Sequence, residues 1–141
     1  KELILYNGFC PIHDGATLGD AKAIKLTTPD AKLLVHPECR PEILALADYV
    51  GSTAGILDYA RKTDASALII GTELGVFELL ERELPDKRLS IIKDGFVCGD
   101  MKKTSLEAVL DCLEGRRAPI ELPDDALIGA KKSLKRMVEL G

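Results

Sequence analysis

Apolar residues follow two rhythms along this chain, short unbroken runs and longer stretches with helical spacing, and the two alternate almost from end to end. The runs Leu3–Tyr6, Lys32–Val35, Ala67–Ile70 and Leu89–Ile92 predict buried strands, with a further short strand over Asp48–Val50. Helices are expected between them. Thr17 and Asp20 have the spacing of a capping box and open a helix that must stop before Pro29, while Pro41 suits the first turn of a helix carrying Ile43, Leu44 and Ala47. Further helices are expected over Thr53–Lys62, Leu74–Glu83, Ser105–Leu113 and Asp124–Leu140. In the last of these, Leu127, Ala130, Leu134, Met137 and Val138 form a stripe that should pack against something. Strands alternating with helices predict the α/β class, with βα units around a parallel sheet.

Composition narrows the picture. With 141 residues, 46% of them hydrophobic, the chain can bury the core of one ordinary domain and is no disordered tail. The 19 Lys and Arg against 23 Asp and Glu give a net charge of −4 with no long run of one sign, which argues against a nucleic-acid surface. No apolar stretch reaches the roughly 20 residues that span a bilayer, so the expectation is a soluble, cytoplasmic protein without a membrane. Lys1 followed almost at once by an apolar run reads as the start of a fragment, or of the ordered part of a longer protein. Four widely separated cysteines, Cys10, Cys39, Cys98 and Cys112, suit core residues, metal ligands or catalytic thiols better than a disulfide framework.

A faint internal repeat bears on two of them. Leu5-Tyr6-Asn7-Gly8-Phe9-Cys10 and Ile92-Lys93-Asp94-Gly95-Phe96-Val97-Cys98 each read as strand, Asn/Asp-Gly-Phe turn and cysteine, and each is followed by a helix opened at Thr17 or Thr104-Ser105. The two cysteines are 88 residues apart. Repeats of this length suggest lobes related by pseudo-symmetry, on which equivalent cysteines can converge. Core packing gives no reason for cysteine to recur in two such loops. Cys112, flanked by Leu110 and Leu113 in a helix, reads as a core residue. Cys39 reads either as a nucleophile beside His36 or, in the favoured reading, as a small buried residue at the start of the Pro41 helix.

In an open α/β sheet, ligands bind beyond the carboxyl ends of the strands. The unusual clusters all fall at such ends: Cys10-Pro11-Ile12-His13, His36-Pro37-Glu38-Cys39, Gly51-Ser52-Thr53, Gly71-Thr72-Glu73, and Cys98. His36 and Glu38 flank a stiffening proline and can aim at one ligand, Glu38 as general base and His36 as hydrogen-bond donor to a developing oxyanion. The plainer alternative is a helix N-cap region with a solvated histidine. Gly51-Ser52-Thr53-Ala54-Gly55 offers N–H groups and hydroxyls to a carboxylate or phosphate, or else an ordinary N-cap.

In order and spacing, Val35-His36-Pro37-Glu38-Cys39, Ala47-Asp48-Tyr49-Val50-Gly51-Ser52-Thr53, Gly71-Thr72-Glu73 and Cys98-Gly99-Asp100-Met101-Lys102 together resemble the quinolinate synthase family, over essentially the whole chain. The resemblance implies three-layer αβα lobes with parallel sheets in a pseudo-three-fold, three-lobe architecture. Residues 1–95 would form one lobe. Residues 96–141 would begin a further lobe, its C-terminal helices completing a missing N-terminal one. It also implies a [4Fe–4S] cluster held by one cysteine per lobe, with Cys10 and Cys98 as two of the three ligands and Cys39 not among them. The implied activity is a transferase step of NAD biosynthesis, condensing iminoaspartate with dihydroxyacetone phosphate to quinolinate, with an aspartate oxidase or dehydrogenase as supplier of iminoaspartate. In that scheme Glu38 is the acid/base, His36 and His13 bond substrate oxygens, Ser52 and Thr53 hold a carboxylate or phosphate, and this chain alone would be inactive. Two rivals remain open: a small-anion-binding α/β module without a cluster, and a zinc site using Cys10, His13, Cys98 and Cys39.

Overall fold

The structure is a computed structural model and describes residues 2–141; Lys1, where the first expected lobe begins, lies outside the described residues. The chain forms two compact units, one reaching to Gly99 and the other Asp100–Gly141. In the first, the order along the chain is α1 (Pro11–Asp14), α2 (Leu18–Thr27), β1 (Lys32–Val35), α3 (Pro41–Leu44), β2 (Tyr49–Val50), α4 (Thr53–Lys62), β3 (Ala67–Gly71), α5 (Leu74–Glu83) and β4 (Arg88–Ile91). The strands make one all-parallel sheet in the order β2-β1-β3-β4.

Period-two alternation sorts the strand side chains between two cores. Leu33, Val35, Ala67 and Ile69 face one layer with Ala16, Ala21 and Ile43 from the segment around α1, α2 and α3. Leu34, Leu68 and Ile70 face the other, with Ile56 and Ala60 of α4 and Val76 and Leu80 of α5. This is a three-layer αβα unit. Its central strand β3 is buried at every position, as expected of a parallel strand covered on both faces. Burying each of its large aliphatic side chains stabilises the fold by about 1.5–3 kcal/mol. The capping box forms as expected: Thr17 Oγ1 accepts from Asp20 N–H at 3.2 Å, and the Asp20 carboxylate accepts from Thr17 N–H at 2.8 Å.

Registers set the rim. Val35 pairs with both Val50 and Gly71, so β1, β2 and β3 end level with one another. Gly71 is required there, because a Cβ would stand 2.7 Å from Val35 Cγ1 and 3.3 Å from the Leu34 carbonyl.

The second unit comprises a 3₁₀ turn (Met101–Lys103), α6 (Leu106–Leu113) and α7 (Asp124–Leu140). Ser105 caps α6, its Oγ accepting from Ala108 N–H at 3.1 Å.

Three expectations are corrected. Leu3–Tyr6 is not a strand, and its side chains are exposed: no described strand lies beside it, and a lone strand leaves its N–H and C=O groups unpaired. Cys112 is exposed rather than core, since Ala108 is the one buried residue of α6. The apolar stripe of α7 buries nothing among the described residues. Hydrophobic spacing reports what a helix is able to cover, and these two helices are not enclosed by this chain.

Candidate functional site

The carboxyl ends of β1 and β3 deliver His36 and Thr72 to one rim, and α1 brings His13 to meet them. Pro11 occupies the first turn of α1, Cys10 is its extended N-cap residue, and the buried His13 sits two residues further on. Arg40 donates from Nε and Nη2 to the two oxygens of Asp14, each at 3.2 Å, and so fastens α1 to the residue that precedes α3. The β1 extension is fixed by His36 N–H donating to the Gly71 carbonyl at 3.1 Å, and Cys39 N–H closes the following turn on the His36 carbonyl at 3.0 Å.

The side chains of His13, His36 and Glu38 collect here. The His13 and His36 rings stack with centroids 4.4 Å apart, and Phe96 meets His13 edge-on at 5.5 Å. His13 Nε2 lies 3.1 Å from Thr72 Oγ1 in a buried hydrogen bond. Its Nδ1 is sealed from solvent and makes no hydrogen bond, while Glu38 Oε2 stands 3.3 Å away, within ion-pair reach. Burial pushes the His13 imidazole below its ordinary value, the adjacent His36 ring lowers it further, and Glu38 offsets part of the fall. Glu38 N–H donates to His36 Nδ1 at 3.3 Å, which leaves the proton of a neutral His36 ring on Nε2, and the Glu38 carboxylate stands 3.4 Å from the same Nδ1. Glu38 is the exposed member, with 51% of its side chain open to solvent. Its Oε2 therefore lies between two imidazole nitrogens, 3.3 Å from His13 Nδ1 and 3.4 Å from His36 Nδ1.

The cysteines divide by environment. Cys39 is buried, its thiol is pushed up to about 11 by burial, and Sγ donates to the Gly71 carbonyl at 3.5 Å; it is a packed thiol, not a nucleophile. Cys10 and Cys98 are free and half-buried. Cys98 follows β4, and its N–H donates to Glu73 Oε1 at 3.4 Å. Glu73 also caps α5 through Gly75 N–H at 2.7 Å, joining that helix to the Cys98 loop.

A family model described as "Quinolinate synthetase A protein" matches residues 1–139. The chain belongs to the quinolinate synthetase A family. Quinolinate synthase of Caldicellulosiruptor bescii is 44% identical over 141 residues, covering all of this chain and 46% of the relative. That of Thermodesulfovibrio yellowstonii is 42% identical over 99% of this chain and 46% of its own length, and quinolinate synthase 2 of Methanosarcina acetivorans is 36% identical over 99% and 45%. The chain thus spans about half the length of these relatives. Among the described residues no helix is long and apolar enough to cross a membrane.

In this member of the quinolinate synthetase A family, His13, His36, Glu38 and Cys10 come together on one rim. Ser52 and Thr53 follow β2, where Ser52 Oγ caps α4 by accepting from Gly55 N–H at 3.2 Å. Thr72 stands in a cluster and Phe96 in the repeat that the sequence marks, but their contacts with His13, and the Asp14–Arg40 pair, are not foreseen there. His13 and Thr72 are 59 residues apart, and nothing in their local patterns links them. The donor chemistry fits a cluster of the family's kind: Cys10 and Cys98 are unpaired, incompletely buried thiols on loops, whereas Cys39 is sealed.

Proposed function

We propose that this chain is the part of a quinolinate synthase that supplies two ligands of a [4Fe–4S] cluster and the proton-handling wall of its site. The substrates are iminoaspartate and dihydroxyacetone phosphate, condensed to quinolinate with loss of phosphate and water, with an aspartate oxidase or dehydrogenase supplying the imine. The observation that carries this reading is the buried His13 stacked on His36 with Glu38 Oε2 within 3.4 Å of a ring nitrogen on each. Packing alone gives no reason for that arrangement at the carboxyl rim of a parallel sheet.

Cys10 and Cys98 hold the cluster, with the third thiolate coming from outside this chain in a pseudo-three-fold assembly of lobes. When bound, such a cluster with one iron free of thiolate supplies Lewis acidity toward a substrate oxygen or nitrogen. Glu38, exposed and flanked by imidazoles, moves protons to and from substrate carbon and oxygen. His36 donates from Nε2 to a substrate oxygen as charge develops there. His13, buried with its Nε2 held by Thr72, supports the His36 ring stacked on it. Ser52 and Thr53, at the start of α4, bind a carboxylate or phosphate with the helix N-terminus behind them.

The full-length protein, purified without oxygen, tests this. Visible absorbance that bleaches on oxidation is expected, lost in Cys10→Ser and Cys98→Ser and kept in Cys39→Ser and Cys112→Ser. Glu38→Gln should keep the absorbance and lose quinolinate formation; turnover by that variant would remove Glu38 from the acid/base role.

A further inference from the structure

The donor atoms of Cys10, His13 and Glu38 all lie within 4.8 Å of one another, a grouping that includes neither Cys39 nor Cys98. We propose that Cys10 Sγ, His13 Nδ1 and Glu38 Oε2 form a mononuclear zinc site, occupied when no iron–sulfur cluster engages Cys10.

Three observations carry it. His13 Nδ1 is buried without a hydrogen bond, in a side chain nine-tenths shielded from solvent, although Glu38 Oε2 stands 3.3 Å away, and a buried polar nitrogen without a hydrogen bond is expensive unless something binds it. Thr72 Oγ1 engages the other ring nitrogen at 3.1 Å, which allows Nε2 to carry the proton and turns the Nδ1 lone pair toward the site. A second hydrogen bond of this kind is the usual support of a metal-bound histidine. Third, Nδ1 and Glu38 Oε2 are already 3.3 Å apart. Bonds of about 2.0–2.3 Å to a tetrahedral zinc set its donors roughly 3.3–3.8 Å from each other. Only a small inward movement is needed, and the exposed Glu38 side chain is free to make it.

A thiolate, an imidazole and a carboxylate select zinc over magnesium or calcium, which take oxygen donors. Three protein ligands leave a fourth position open. The site differs from a zinc centre built on Cys10, His13, Cys98 and Cys39, because Cys39 is committed to packing. It shares Cys10 with the cluster and His13 and Glu38 with the proposed proton-handling wall, so zinc and a cluster-loaded working site exclude one another.

The test is titration of the metal-free, full-length protein with cobalt(II), followed by competition with zinc. A thiolate-to-cobalt charge-transfer band at one equivalent is expected, absent in Cys10→Ser. Thr72→Val, which removes only the supporting hydrogen bond, should weaken binding about 10- to 100-fold. Glu38→Gln, at an exposed position that does not endanger folding, should weaken it by roughly tenfold or more, since a direct ligand matters no less than its support. Unchanged affinity in Glu38→Gln would overturn the proposal, as would loss of the band in Cys98→Ser. The second variant also separates the two readings: Cys98→Ser should abolish cluster absorbance and retain cobalt binding, so each can fail alone.

Discussion

His13 is held by contacts from three separate stretches of chain: Thr72 at Nε2, the His36 ring on its face, and Phe96 at its edge. Thr72→Val keeps the shape of the buried residue and leaves Nε2 unsatisfied, so a loss of about 1–3 kcal/mol in urea unfolding is expected. Cys39 makes the opposite case, a functional-looking residue whose surroundings silence it. Its thiol should resist alkylation in the native protein and react at the rate of a free cysteine once denaturant unfolds the chain. His36, Glu38 and the cysteines were legible as candidates because their residue types and spacing are unusual. Thr72 stood in a marked cluster, but its pairing with His13 was not legible, because a threonine after a strand has many ordinary uses and its partner lies on a distant helix.

Elements formed where local signals were strong, with burial in α4 and α5 and without it in α7. The α2 capping box and the bounds of α4, α5 and α7 follow from cap residues and hydrophobic period. The short strand β2 depends on Asp48: its N–H donates to the Leu33 carbonyl at 2.8 Å, and its carboxylate accepts from Leu33 N–H at 2.7 Å and Lys25 Nζ at 3.2 Å. Partial burial would raise the Asp48 carboxyl, but the Leu33 hydrogen bond and the Lys25 and Lys32 charges outweigh it and hold it below the usual carboxylate range. The unfolded chain then binds more protons between the folded value and about pH 4, so this contribution is full above that pH and lost as pH falls through the folded value. Asp48→Asn should flatten the acid limb of a stability-versus-pH curve, and at pH 7 lose roughly 1 kcal/mol, a figure kept low by solvent screening. Gly71→Ala should cost about 1–3 kcal/mol through the clash with Val35 at the β1–β3 register, measured by thermal melting.

At the scale of the whole molecule, the αβα unit encloses its sheet on both faces while other apolar surfaces stay open. Ile4 and Tyr6 before α1 are at least nine-tenths exposed, and Ile128, Met137 and Val138 of α7 more than half. The 141-residue chain, expressed alone, should bind a hydrophobic fluorescent dye in its native state, and Met137→Lys with Val138→Lys should lower that signal several-fold. The sequence by itself determined the α/β class, most element bounds and the rim where the candidate residues lie, because hydrophobic period, caps and turn residues act over a few neighbouring positions. Only the tertiary structure decided that Leu3–Tyr6 joins no sheet, that Cys112 lies in the open, and that the donor atoms of Cys10, His13 and Glu38 lie close together while Cys39 is packed away. Those outcomes turn on which distant segments come into contact, and local patterning carries no record of that.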